Sequence, residues 1–128
     1  MLHLDIEATV ASMIESTLGP GFDFEDVAAT LGADFASIGA CGVSTRSMTP
    51  ADAAASAITK LSARDGGFQT VSGLVACVRA GTRAKTLAAV IAVSRMLRLE
   101  AHERCAMICG GLIEQALEDE FEVVLWAT

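Results

Sequence analysis

Phe121-Glu122-Val123-Val124-Leu125-Trp126-Ala127-Thr128 is the clearest strand in this chain of 128 residues. Its β-branched and aromatic side chains suit a pleated, buried surface, and a single charge interrupts them. A polar, acidic connection, Ile113 to Glu120, precedes it, and before that lies a second short apolar run, Cys105 to Leu112. Two apolar runs of strand length separated by such a connection predict two strands.

Further toward the N-terminus, Gly81-Thr82 opens a helix that runs to about Leu97. Residues 70–80, Thr-Val-Ser-Gly-Leu-Val-Ala-Cys-Val-Arg-Ala, hold three Val and a central Gly, which favours a buried strand over a helix. Thr49-Pro50-Ala51-Asp52 is a strong helix start, with an N-cap, a proline at the first helical position and an acid where a capping box needs one. Ala54, Ile58 and Leu61 give that helix its inner face, and Gly66-Gly67 stops it. Phe35 to Thr45 is small, mostly apolar and rich in Gly, a poor helix and a plausible buried strand whose backbone something approaches closely.

Ile6, Val10, Met13, Ile14 and Thr17 recur at helical spacing, so residues 4–18 read as an amphipathic helix ended by Gly19-Pro20-Gly21. A short helix then runs from Phe24 to about Leu31, burying Val27, Ala28 and Leu31. Three acids stand at its opening in Phe22-Asp23-Phe24-Glu25-Asp26-Val27. Asp23 suits the N-cap, Asp26 the capping-box position, and Glu25 and Asp26 the positive end of the helix dipole. Helix initiation alone accounts for them. The element order, two helices and then β-α-β-α-β-β, predicts an α+β fold with helices packed on a mixed four-stranded sheet.

The length is that of one domain able to bury a core without disulfides or metal. Composition is 52% hydrophobic with no Tyr, so the core must be built from small and aliphatic parts. A formal net charge of −7 with nine scattered Lys and Arg argues against nucleic acid or an anionic membrane as partner. Cys41, Cys77, Cys105 and Cys109 show no paired zinc spacing and follow no secretory leader, so they read as buried small hydrophobes in a cytoplasmic protein. The longest apolar stretch, Leu87 to Val93, is far short of the ~20 residues a membrane span requires. His3 and His102 are isolated, and Arg79, Arg83, Arg95, Arg98 and Arg104 read as solvated faces and surface ion pairs. No cofactor or metal is expected.

In this order and spacing the chain resembles the C-terminal half of FtsZ, of the tubulin/FtsZ family, over roughly residues 5 to 128. Residues 22–27 look like that family's Asp-Phe-Ala-Asp-Val segment after its core helix and synergy loop. Gly39-Ala40-Cys41-Gly42-Val43-Ser44 looks like its Gly-x-Gly strand, and Ala76 to Gly81 sits where its next strand ends in a small-residue turn. Ile108-Cys109-Gly110-Gly111-Leu112-Ile113, Glu118 to Val123 and Trp126-Ala127-Thr128 are similar to the closing pair of strands. The resemblance implies a core helix and synergy loop over 1–22, followed by an FtsZ C-terminal-like domain over 23–128, together one compact unit.

It also implies an absence. The family's glycine-rich phosphate loop belongs to the preceding GTPase domain, and Gly66-Gly67 and Gly110-Gly111 lack the successive amides and helix start of a phosphate cradle. These residues are therefore not expected to bind GTP or to be an enzyme by themselves. In the family, synergy-loop acids of one subunit reach the nucleotide of the next and position the attacking water. Asp23 and Asp26 match those acids, while Gly21 stands where the family has Asn, which shifts the expectation from catalysis toward docking. The expected interaction residues are Gly21, Phe22, Asp23, Phe24 and Asp26, and the expected partner is FtsZ or an FtsZ-like protein of the cell-division cytoskeleton. Two other readings fit the residues: a self-associating homo-oligomeric module with no filament role, and, with little help from the sequence, a small-molecule enzyme of a trimeric sheet fold. A fragment or degenerate copy of a longer FtsZ-like protein fits as well.

Overall fold

The computed structural model of the chain describes Thr9, Ala11, Ser12, residues 42–63 and residues 67–127. Thr9, Ala11 and Ser12 are helical, inside the stretch read as the core helix. The rest of that stretch, the helix expected from Phe24, and Gly21, Phe22, Asp23, Phe24 and Asp26 lie outside the described residues.

Strand β1 spans Val43–Ser47. The sequence places a strand up to Thr45, but the ladder continues to Ser47, which pairs with Phe121. Helix α1, Pro50–Ser62, begins as its capping signals predict: Asp52 N donates to the Thr49 hydroxyl oxygen at 3.1 Å, and Pro50 needs no partner for a missing N–H. Its inner face is Ala53, Ala54, Ala57 and Leu61, with Ile58 half-buried beside it. Three alanines let this helix lie close to the sheet. The Thr45 hydroxyl donates to the Ala53 carbonyl, which ties β1 to the first turn of α1.

A 3-10 turn, Phe68–Thr70, precedes strand β2, Gly73–Ala80. The strand starts three residues later than the sequence suggests because Thr70 N and Val71 N are committed to the turn, donating to Gly67 O and Phe68 O. Helix α2, Arg83–Glu100, is capped by Thr82, whose hydroxyl oxygen accepts from Lys85 N at 3.2 Å. It runs one turn further than Leu97, since no Gly or Pro interrupts it before Ala101. Strand β3 is Ala106–Ile113, a second 3-10 turn covers Gln115–Leu117, and strand β4 is Phe121–Ala127.

The sheet order is β1-β4-β2-β3. β4 is antiparallel to both β1 and β2, while β2 and β3 are parallel and joined by α2, the crossover that a parallel pair requires. Both helices cover one face of the sheet. There Leu74, Ala76, Val78, Val123, Leu125 and Ala127 form a single cluster with Leu61 of α1 and Val93 and Leu97 of α2. On the alternate positions Val75, Cys77, Val124 and Trp126 are buried too, so β2 and β4 are sealed on both faces and read as near-continuous apolar runs.

Two glycines mark close approaches. A Cβ on Gly111 would come within 2.7 Å of both Thr86 Cγ2 and Val90 Cγ2, so its bare backbone is what lets α2 settle on β3. A Cβ on Gly81 would come within 2.5 Å of the Glu118 carbonyl oxygen, where the β3–β4 connection folds against the end of β2. Glu118 itself takes φ 53° at the head of a turn closed by Glu120 N donating to Leu117 O at 2.9 Å.

Candidate functional site

A charged row crosses three strands at one end of the sheet. Register places Arg46 of β1 and Arg79 of β2 directly opposite Glu122 on the central strand β4. The Glu122 side chain is nearly buried, and its two carboxylate oxygens divide between the arginines: Arg46 Nε donates to Oε2 at 3.2 Å, and Arg79 Nε lies 2.7 Å from Oε1. The Arg79 N–H is not aimed at that oxygen, so the second contact is an ion pair rather than a directed hydrogen bond. The Arg46 side chain is 60% exposed, which leaves one guanidinium facing solvent and the row with a net positive charge.

Arg79 is ion-paired, as one of the two readings of the scattered arginines expects, but its partner is a buried acid on the neighbouring strand rather than a surface one. The signal was present in the strand itself. Glu122 is the one charge in an apolar run, and a buried carboxylate requires opposite charge on a neighbouring strand. Lys85 and Asp119 form a further pair at 2.9 Å, and that contact holds the exposed Asp119 carboxyl below its usual range.

Cys77, Cys105 and Cys109 are buried free thiols, as their reading as small hydrophobes expects, while Cys41 lies outside the described residues. Burial pushes Cys77 and Cys109 up to about 12 and raises Cys105 as well, with Arg98 opposing the last shift. Such thiols stay protonated near neutrality and are poor nucleophiles. His102 is exposed in the turn after α2, where its Nδ1 accepts from Arg104 N at 3.0 Å. Among the described residues no three His, Cys, Asp or Glu side chains come together as a metal site would need. Nor is any described helix long and apolar enough to cross a membrane.

No protein-family model matches the sequence, and no curated protein matches it. Among solved structures, an empty FtsZ dimer from M. jannaschii superposes with a TM-score of 0.68 at 19% identity, over 91% of this chain. The fold is FtsZ/tubulin-like. At that identity the likeness is one of fold, and the chain spans about a third of that FtsZ chain, 34% of its length. The mixed sheet of β1–β4 with α1 and α2 on one face is the described part of this FtsZ-like fold.

Proposed function

We propose that these 128 residues form a module equivalent to the C-terminal half of FtsZ, and that it docks on or modulates an FtsZ-like cytoskeletal filament. The observation that carries the reading is the FtsZ-like fold, which extends over 91% of the chain. Fold alone does not set function, so the reading rests on particular residues as well. By the resemblance, Asp23 and Asp26 are the acids the module offers to a neighbouring subunit, with Gly21, Phe22 and Phe24 as the accompanying interaction residues.

The module supplies no complete GTPase site of its own, since the 128 residues contain no glycine-rich phosphate loop. Gly21, in place of the family's Asn, removes a side-chain contact that a hydrolytic role would use. Docking is therefore favoured over catalysis. The test is sedimentation of host FtsZ with GTP, with and without this protein, read as polymer mass and GTPase rate. Both quantities are expected to change with the wild-type chain and to change less with Asp23→Ala or Asp26→Ala. Unchanged mass and rate across a wide molar excess would overturn the reading.

A further inference from the structure

Neither folding nor a filament contact accounts for the whole of the charged row on the sheet. Neutralising the buried Glu122 carboxylate takes one arginine, yet two converge on it, Arg46 from β1 and Arg79 from β2. The row therefore carries one surplus positive charge, within a protein of formal net charge −7. Arg46, Glu122 and Arg79 alternate with Thr45, Val123 and Val78, which face the helices, so the row lies on the opposite face of the sheet. Arg46 hydrogen-bonds through Nε alone and Arg79 makes no directed hydrogen bond, so among the described residues the Nη atoms of both guanidiniums have no acceptor. With side chains 60% and 31% exposed, both arginines reach solvent. Glu122 holds one of them on each carboxylate oxygen, so the pair is fixed side by side before any ligand arrives and has little side-chain entropy left to lose.

We propose that Arg46 and Arg79 form a binding site for the carboxylate group of a small organic acid. A guanidinium presents parallel N–H donors at the spacing of two carboxylate oxygens, and one carboxylate charge balances the one surplus charge of the row. A doubly charged phosphate or dicarboxylate overshoots that balance. The same end of the sheet also carries acids: Glu114, whose N donates to Ala80 O at 2.8 Å just beyond Arg79, and Glu120, which precedes Phe121 opposite Ser47. Among the described residues neither is ion-paired, so they penalise each further negative charge brought to the row. A monocarboxylate is the ligand that this charge distribution favours. The proposal does not rest on the filament reading and requires no FtsZ.

The experiment is a nuclear magnetic resonance titration of the nitrogen-15-labelled full chain, read at the arginine Nε–H resonances. The probes are butyrate, succinate and inorganic phosphate, with sodium chloride making up a constant ionic strength. Butyrate is expected to shift the Arg46 and Arg79 signals saturably, and to half-saturate at a lower concentration than succinate or phosphate. Arg46→Gln should raise the half-saturating butyrate concentration at least ~10-fold, the equivalent of one charge-assisted hydrogen bond, while leaving the circular dichroism unchanged. Arg46→Lys keeps a cation beside Glu122 but loses the planar fork, so it should weaken butyrate by a smaller factor; it also gives the answer if the Gln variant fails to fold. Shifts that chloride alone reproduces overturn the proposal, since they report screening rather than a site. Tighter binding of phosphate or succinate overturns it too, because the charge balance would then be wrong. Butyrate binding that neither Arg46 variant weakens overturns it equally, since the ligand would sit elsewhere.

Discussion

Helices α1 and α2 lie side by side on the same face of one sheet, yet they treat solvent differently. α1 buries Ala53, Ala54, Ala57 and Leu61 and turns Asp52, Ser56, Thr59 and Lys60 outward. α2 buries Thr86, Ala89, Val90, Val93 and Leu97 and turns Leu87, Ile91 and Leu99 outward. The inner faces obey the same rule, apolar against the sheet, so folding cannot be the reason for the difference. An outer face is free of that demand, and on α2 alone it carries large apolar side chains.

If the inner faces are equivalent, truncating either should cost alike. Leu61→Ala in α1 and Leu97→Ala in α2 each remove a fully buried side chain and should each destabilise the fold by about 2–5 kcal/mol in urea unfolding. A large loss at one and a small loss at the other would break the equivalence and show that one helix packs loosely on the sheet.

Alkaline pH sharpens the comparison from beneath. Cys109 lies under α2, with its Sγ 4.0 Å from the Val90 carbonyl, and Cys77 is buried on the adjoining strand. Both thiols have folded-state values of about 12 against an ordinary 9.0, raised chiefly by burial. An acid group whose folded value is raised ionises first in the unfolded chain. Its contribution is therefore complete below pH 9 and is lost as pH climbs from there toward 12. Unfolding free energy should fall by about 1.4 kcal/mol per thiol for each pH unit in that window. Cys77→Ala and Cys109→Ala variants, measured at pH 8 and 10, should each flatten the slope by roughly one such increment. An unchanged slope in both would mean the thiols ionise equally well in the folded chain.

Much of this fold was legible in the sequence, for local reasons. Thr49-Pro50-Ala51-Asp52 and Gly81-Thr82 each announce a helix through capping chemistry that depends only on near neighbours, and the strand at 121–127 follows from composition. What depends on distant partners was not legible. Arg79 reads as a solvated or ion-paired arginine with no named partner until register sets it opposite Glu122, and Gly111 looks like half of a bare Gly-Gly pair until Thr86 and Val90 arrive above it. The outward row of α2 was hidden for another reason: an apolar residue on a helix gives no sign, in sequence, of which side the sheet will take. Of the site residues read from the sequence, Gly21, Phe22, Asp23, Phe24 and Asp26 lie outside the described part of the fold, so their argument still rests on the resemblance.

Gly111 allows a narrower attack on α2. Gly111→Ala puts a methyl group against two β-branched side chains of that helix at 2.7 Å, closer than a Cβ ordinarily comes to any atom. The helix must shift or the side chains must leave their rotamers, at a cost of about 1–3 kcal/mol. Substituting Thr86→Ser alongside it removes one of the two clashing methyls and should recover part of the loss. No recovery would place the strain on Val90 or on the Val78 carbonyl, the remaining neighbours.

The smallest expected effect decides what the comparison means. Ile91→Glu on α2 and Thr59→Glu on α1 both place an acid on an exposed outer face, so each should change the stability of the monomer by less than ~0.5 kcal/mol. In dilute solution the two variants should unfold at the same urea concentration as the parent. A loss of 2 kcal/mol or more at Ile91, on the order of a core truncation, would mean that the side chain is packed within its own chain and that the outer face of α2 is not a surface at all. Equal, near-zero effects leave the apolar row without a role in folding.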